Sequence, residues 1–274
     1  MVGPPRTGTS WIHEILRRHV NLPSAVKETR FFDTHFHRGL DWYEAYYQHA
    51  SDRIRIGEIA PTYFASSTAR ERIAQLIPSA MIVCIFRHPV ERLWSLYRLK
   101  SAYGMIHCNL ENALVRDPEL LESSKYASHL KAWQLAFGKQ NVLATVYEDL
   151  CCGPQRFMDQ LADFIGISRF SIADSDLRRV HQSDSLSYPR SYYRTRSATA
   201  VADWFKARRL GRLVTAFNGS PLRKYVIGGG PPFPEIPQGI VRHVCELLRP
   251  EVEELEALLN RDLSAWKSCD PIRS

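Results

Sequence analysis

The sequence predicts an α/β fold, a P-loop-like parallel sheet flanked by helices on both faces, with its first strand cut short. Three observations carry this expectation. Gly3-Pro4-Pro5-Arg6-Thr7-Gly8-Thr9-Ser10 is a glycine-bounded loop that runs straight into an apolar-spaced helical segment. Met81 to Phe86 is an unbroken apolar run between Pro78 and Pro89, the pattern of a strand buried on both faces. Around these, strand-like and helix-like segments alternate, as in parallel βα units.

The elements follow in chain order. The first loop has the spacing of a phosphate cradle, followed by a helix from Thr9 to His19. A triphosphate loop places a lysine after its second glycine, to reach the phosphates beside Mg²⁺. Here Thr9 holds that position, and Arg6 is the only cation in the loop. Backbone N–H groups and the positive end of the helix still favour an anion, without the chemistry for a metal-bound triphosphate. Only Met1 and Val2 precede Gly3, which is short for the strand that such a loop needs. Arg53 to Ile59 reads as a short strand and Thr68 to Leu76 as a helix.

The apolar run ends in Arg87, where a metal-dependent nucleotide enzyme would carry an aspartate. Pro89 suits a first helical turn, so a helix spans Val90 to Lys100. Ligands of open α/β sheets bind beyond the carboxyl ends of strands, which directs Arg87 toward the crevice of the first loop. A cation there favours a second phosphate group. A less regular stretch follows, then helix Tyr126 to Phe137, strand Val142 to Tyr147 and helix Pro154 to Phe164. Gly228 to Pro232 reads as a turn or linker; no helix follows it directly, so it is not a second phosphate loop. Pro237 to Leu259 is the final helix, with apolar spacing at Val241, Val244, Leu247, Leu248, Val252 and Leu255.

At 274 residues and 45% hydrophobic content, the chain suits one domain over residues 1–274 with a single core. The net charge is +7, and the stretch from Tyr188 to Lys224 sets nine basic residues, Arg190 among them, against Asp203 alone. Such a face suits a polyanionic cofactor, an acidic acceptor or nucleic acid, or is simply a solvated helix surface. No nucleic-acid-binding signature accompanies it. The six cysteines form no C-x-x-C pair, which argues against structural zinc and a disulfide framework and fits a reducing compartment.

With these residues in view, the chain resembles the sulfotransferases that use 3′-phosphoadenosine 5′-phosphosulfate, in the branch of heparan sulfate 3-O-sulfotransferases and bacterial relatives. The first loop is similar to their 5′-phosphosulfate loop. Phe86-Arg87-His88-Pro89-Val90-Glu91-Arg92-Leu93-Trp94-Ser95 is similar to their 3′-phosphate segment. Lys27 to Asp33, Gly57 to Phe64 and Tyr126 to Leu150 match further blocks, so the likeness covers most of residues 1–166. The resemblance implies that Arg6, Thr7, Gly8, Thr9, Ser10 and Trp11 bind the 5′ end of the donor, with Arg87 and Ser95 on its 3′-phosphate. Arg190, from the basic stretch, is assigned to the same cofactor. It further implies that Glu28 removes the acceptor proton, with His35 and His37 as rivals, and that no metal takes part. Lys27, Arg30, His35 and His37 are the expected acceptor contacts.

The family pattern also expects a lysine after the glutamate at Glu58, where this chain has Ile59. That departure bears on the polysaccharide substrate of the eukaryotic branch. The expected chemistry is in-line sulfuryl transfer to a hydroxyl or amine, with Arg6 stabilising the charge that grows on the departing phosphate oxygen. The expected partners are a small-molecule or glycan acceptor, with no nucleic acid and no membrane span. No run approaches the roughly 18 apolar residues of a membrane span, and no signal peptide is seen before the loop, so a cytoplasmic enzyme of bacterial type is expected. Two other readings stay open: a non-catalytic nucleotide-binding relative, prompted by the short first strand, and a P-loop kinase, which lacks its lysine and aspartate.

Overall fold

The computed structural model describes residues 1–48, 55–177, 186–208, 214 and 229–268. In chain order its elements are α1 (Thr9–Leu16), a π-helical turn (Phe31–His35), α2 (Leu40–Glu44), α3 (Ser67–Leu76), β1 (Ile82–Phe86) and α4 (Pro89–Ala102). Next come α5 (Leu110–Arg116), α6 (Glu119–Glu122), α7 (Tyr126–Phe137), β2 (Val142–Val146), α8 (Tyr147–Cys152) and α9 (Pro154–Ile165). The last group is α10 (Asp174–Leu177), β3 (Ser187–Pro189), α11 (Tyr192–Ala207), β4 (Gly229–Pro232), α12 (Gln238–Leu259) and α13 (Ser264–Lys267).

β1 pairs in parallel with β2, from Ile82 opposite Val142 to Phe86 opposite Val146. Among the described residues, the segment before the loop forms one isolated parallel bridge, Gly3 with Cys84, rather than a strand. The Val2 N–H donates to Val83 O at 3.0 Å and the Ile85 N–H donates to Gly3 O at 3.1 Å. On the other side, Met1 N donates to Glu58 O at 2.7 Å and the Ala60 N–H to Met1 O at 3.0 Å. Met1 to Gly3 are therefore bonded on both sides in the pattern of parallel pairing, and the loop leaves the sheet from a central position.

β1 is buried at every residue, and its period of two divides the core. Ile82, Cys84 and Phe86 pack with Phe64, Trp133 and Leu255, from the face that carries α3, α7 and α12. Val83 and Ile85 pack with Ile12, Ile15, Leu150 and Leu161, from the face that carries α1, α8 and α9. Helices thus cover both faces, and each fully buried side chain of this size contributes about 1.5–3 kcal/mol of transfer free energy. A third cluster joins Val90, Leu93 and Leu96 of α4 to Val241, Val244 and Leu248 of α12. Arg92 is wholly buried there: its Nη2 donates to Leu120 O and Ser124 Oγ, both at 2.6 Å, tying α4 to α6.

Several expectations are corrected. Among the described residues, the strand expected from Arg53 to Ile59 is one bridge, Ile56 with Asn21, followed by the bonds to Met1; Arg53 and Ile54 lie outside those residues. Gly57 and Pro61 interrupt a regular ladder there. α1 stops at Leu16 because the chain tightens, with the Arg18 N–H on Ile15 O and the His19 N–H on Leu16 O. The stretch read as a linker is partly strand: Gly229–Pro232 lies antiparallel to Ser187–Pro189, and its prolines fit the free edge of a two-stranded ribbon. Gly228 is outside the described residues. α12 is not the last element, since Asn260 turns left-handed and α13 follows, seating a buried Trp266.

Candidate active site

The loop that leaves the sheet is shaped by two glycines. Gly3 has φ +110°, and a Cβ there would stand 2.6 Å from Pro61 O. Gly8 has φ +80°, and a Cβ there would stand 2.8 Å from Leu150 Cδ2 and 3.0 Å from Tyr147 Cε2. A larger residue at either position would push the loop away from the sheet. Thr7 is fully buried and its hydroxyl donates to Pro4 O at 2.8 Å, so that side chain holds the loop rather than a ligand. α1 then starts without a side-chain cap, and its first turn carries no acidic residue. The Ile12 N–H donates back to Gly8 O at 3.1 Å, while helix geometry gives the N–H groups of Thr9, Ser10 and Trp11 no partner inside the helix. Donors and dipole together make this end of α1 an anion cradle.

Arg6 reaches across to α4, where its Nε donates to Ser95 Oγ at 2.8 Å. Arg87, at the carboxyl end of β1, is fixed through its carbonyl, which accepts from Tyr126 OH at 2.9 Å. Its guanidinium bonds Glu91 Oε2 from Nη2 at 2.9 Å and Nε at 3.1 Å, and lies 4.9 Å from the centre of the Tyr147 ring. Tyr147 therefore stands between Arg87 and Gly8, and burial pushes its phenol up to about 12. Tyr147 and Glu91 were not singled out in the sequence. The signal for Tyr147 is an aromatic residue closing the second buried strand, the counterpart of Arg87 on the first.

Lys27 and Glu28 come to the other side of the loop. Lys27 Nζ lies 3.3 Å from Thr9 Oγ1, 3.2 Å from Ser10 Oγ and 3.3 Å from Glu28 Oε1. One turn further along α1, His13 is held below the usual histidine pKa by burial and by the Lys27 charge. The other expected contacts are less close to the loop. Arg30 is exposed and pairs with Asp33 at 3.5 Å. His35 meets the edges of Trp42 and His37, and burial holds its pKa down. Phe31 and Phe32 are core residues. The Trp11 indole donates to Asp176 O at 2.8 Å, while its main-chain N–H belongs to the open first turn of α1. Arg190 Nε donates to Gly229 O at 2.9 Å, on the β3–β4 ribbon that packs against α4.

Glu58 has a role that sequence reading missed. Its Oε1 accepts from the Thr29 N–H at 2.8 Å and the Thr29 hydroxyl at 2.5 Å, and Tyr43 OH donates to Oε2 at 3.1 Å. Burial raises its pKa despite these bonds. It pins the Lys27–Glu28 segment to the sheet edge from inside. Ile59 is 2% exposed and packs under α1, so the position where a lysine was expected faces the interior.

Residues 1–208 match the sulfotransferase domain family. The chain belongs to the sulfotransferase family. Its relatives and its fold agree with that family. It is 28% identical over 193 residues to the bifunctional heparan sulfate N-deacetylase/N-sulfotransferase 2 of Bos taurus, covering 62% of this chain and 22% of that protein. With N-deacetylase/N-sulfotransferase 1 of Mus musculus the identity is 26% over 191 residues, 61% of this chain and 22% of the relative. This sulfotransferase thus spans about a fifth of the length of those relatives. The crystal structure of a sulfotransferase from Alicyclobacillus acidocaldarius superposes with a TM-score of 0.69 at 18% identity, covering 98% of this chain and 97% of that one, which establishes the fold. The expected resemblance holds for the family; these two curated relatives carry N-sulfotransferase rather than 3-O-sulfotransferase names. Among the described residues no group of three His, Cys, Asp or Glu could hold a metal ion, and no helix is long and apolar enough to cross a membrane.

Proposed function

We propose that this sulfotransferase, one domain over residues 1–274, takes its sulfuryl group from 3′-phosphoadenosine 5′-phosphosulfate and delivers it to a hydroxyl or amine of a carbohydrate, lipid or other small molecule. The observation that carries the reading is the Arg6–Ser95 hydrogen bond of 2.8 Å. It joins the cradle at α1 to the helix that follows Arg87, so two cations border one crevice.

The donor fits these residues. Main-chain N–H groups from Gly8 to Trp11, with Arg6, would hold its 5′ end, and Arg87 with Ser95 its 3′-phosphate; Arg190 is assigned to the same nucleotide. When bound, the donor supplies a sulfuryl group whose bond to the 5′-phosphate oxygen is the one broken. Arg6 then stabilises the negative charge on the departing oxygen, as fixed donors do where charge develops. Glu28 accepts the acceptor proton from the Lys27 side of the loop. The names of the curated relatives support an amine acceptor beside a hydroxyl, and a glycan as the acceptor class. The main-chain bonds that Met1 to Gly3 make on both sides favour an aligned loop over the non-catalytic reading.

Thermal unfolding with nucleotide tests the proposal. Adenosine 3′,5′-bisphosphate should raise the Tm without Mg²⁺, since a ligand at a hundred times its Kd adds about 2.7 kcal/mol. ATP, without a 3′-phosphate for Arg87 and Ser95, should shift it far less. An equal shift from both nucleotides would overturn the assignment of Arg87 and Ser95.

A further inference from the structure

We infer that Lys27 is a donor-sensing residue: its ammonium neutralises Glu28 in the ligand-free chain and moves to the sulfonate of the bound donor, releasing Glu28 to act as base. This rests on the reading of Glu28 given above.

Three observations point to it. The Lys27 ammonium has three oxygen partners at 3.2–3.3 Å: two hydroxyls from the first turn of α1, and one carboxylate, that of Glu28. A cation is disfavoured at the positive end of a helix, so Glu28 supplies the charge that keeps Lys27 there. An arriving anion at the same helix end would replace Glu28 as the counter-charge. Second, the pair is partly shielded, at 29% and 27% exposure, so exchanging partners matters more than on an open surface. Third, the neighbouring groups are differently engaged: Arg6 bonds Ser95 of α4, and His13 is biased toward its neutral form.

The step balances without an oxidant or metal. A lone pair on the acceptor oxygen or nitrogen forms the new bond to sulfur. The bond between sulfur and the 5′-phosphate oxygen breaks, its electron pair staying on that oxygen. The acceptor proton goes to the Glu28 carboxylate, which no longer shares its charge with Lys27.

Calorimetry with two probes separates this role from a structural one: 3′-phosphoadenosine 5′-phosphosulfate, and adenosine 3′,5′-bisphosphate, which lacks the sulfonate. Lys27→Met keeps the aliphatic stem and should weaken the sulfonate-bearing donor roughly ten- to a hundredfold, the worth of a charge-assisted hydrogen bond. Bisphosphate affinity should stay within about twofold, and Lys27→Arg should restore part of the loss. Glu28→Gln removes the competing anion and should tighten the donor alone. Equal weakening of both nucleotides in Lys27→Met, or no change in either, would overturn the role of Lys27, as would unchanged or weaker donor binding in Glu28→Gln. A wild-type chain that binds neither nucleotide would instead sink the donor reading itself.

Discussion

At the scale of single residues, the two sides of the crevice do separable work. Glu28→Gln should slow transfer by about 10²–10⁴-fold, the usual worth of a general base, while the affinity for adenosine 3′,5′-bisphosphate stays intact. Arg87→Ala should do the reverse, weakening that nucleotide by about 2–5 kcal/mol, the cost of truncating one side of a buried charge pair. The lower end is expected, because Arg87 already pairs with Glu91 and must exchange one anion for another. Turnover and calorimetry on each variant check both outcomes. Should Glu28→Gln transfer sulfate at the wild-type rate, the base lies elsewhere. His35 and His37 then rank below His13, because His35 packs on Trp42 and His37, while His13 follows Thr9 by one turn of α1 and lies within reach of the Lys27 charge.

At the scale of elements, α4 is the part whose placement matters most, since it carries Ser95 and begins two residues after Arg87. Its register depends on Arg92, a wholly buried guanidinium bonded to Leu120 O and Ser124 Oγ. Arg92→Ala should lower stability by about 2–4 kcal/mol, combining a cavity with an unpaired buried carbonyl. Arg92→Met, which refills the space without the hydrogen bonds, should cost about half as much. Denaturant unfolding of the two variants measures the difference. Equal losses would mean that packing, not hydrogen bonding, fixes α4 against α6. The same reasoning explains why the β3–β4 ribbon was hard to foresee: Gly229 to Pro232 has no strand periodicity and becomes extended only against Ser187 to Pro189.

At the scale of the whole molecule, stability should carry a pH signature from Glu58, whose pKa burial raises in the folded chain. The unfolded chain releases that proton near the ordinary glutamate value, about 4.3. Between that value and the higher folded one, the native state holds a proton that the unfolded state has lost. The contribution of Glu58 is therefore full below the ordinary value and is lost as pH rises through the folded one. Tm measured from about pH 4 to about pH 8 should fall more steeply in the wild type than in Glu58→Gln. Opposing trends from the exposed, lowered carboxylates Asp163 and Glu256 cancel in the difference between the two proteins. Parallel curves would shift attention to Glu148, another carboxylate that burial raises.

The local signals of the chain determined a good deal on their own. The glycine-bounded loop, the apolar run ending in Arg87 and helix α7 from Tyr126 to Phe137 stand where the sequence put them, because glycine, proline and apolar period act within a few residues. The family, too, was legible from motifs in order. The tertiary structure decided what depends on distant partners. Met1 to Gly3 are held beside β1 by hydrogen bonds to neighbours on both sides. Arg6 meets Ser95 across 89 positions, and Lys27 meets Thr9 across 18. Glu58 reads as one more charged residue until Thr29, Tyr43 and Tyr63 close around it. Such contacts leave no periodic trace in the sequence, because their free energy comes from burial and partners that only the assembled sheet and helices bring together.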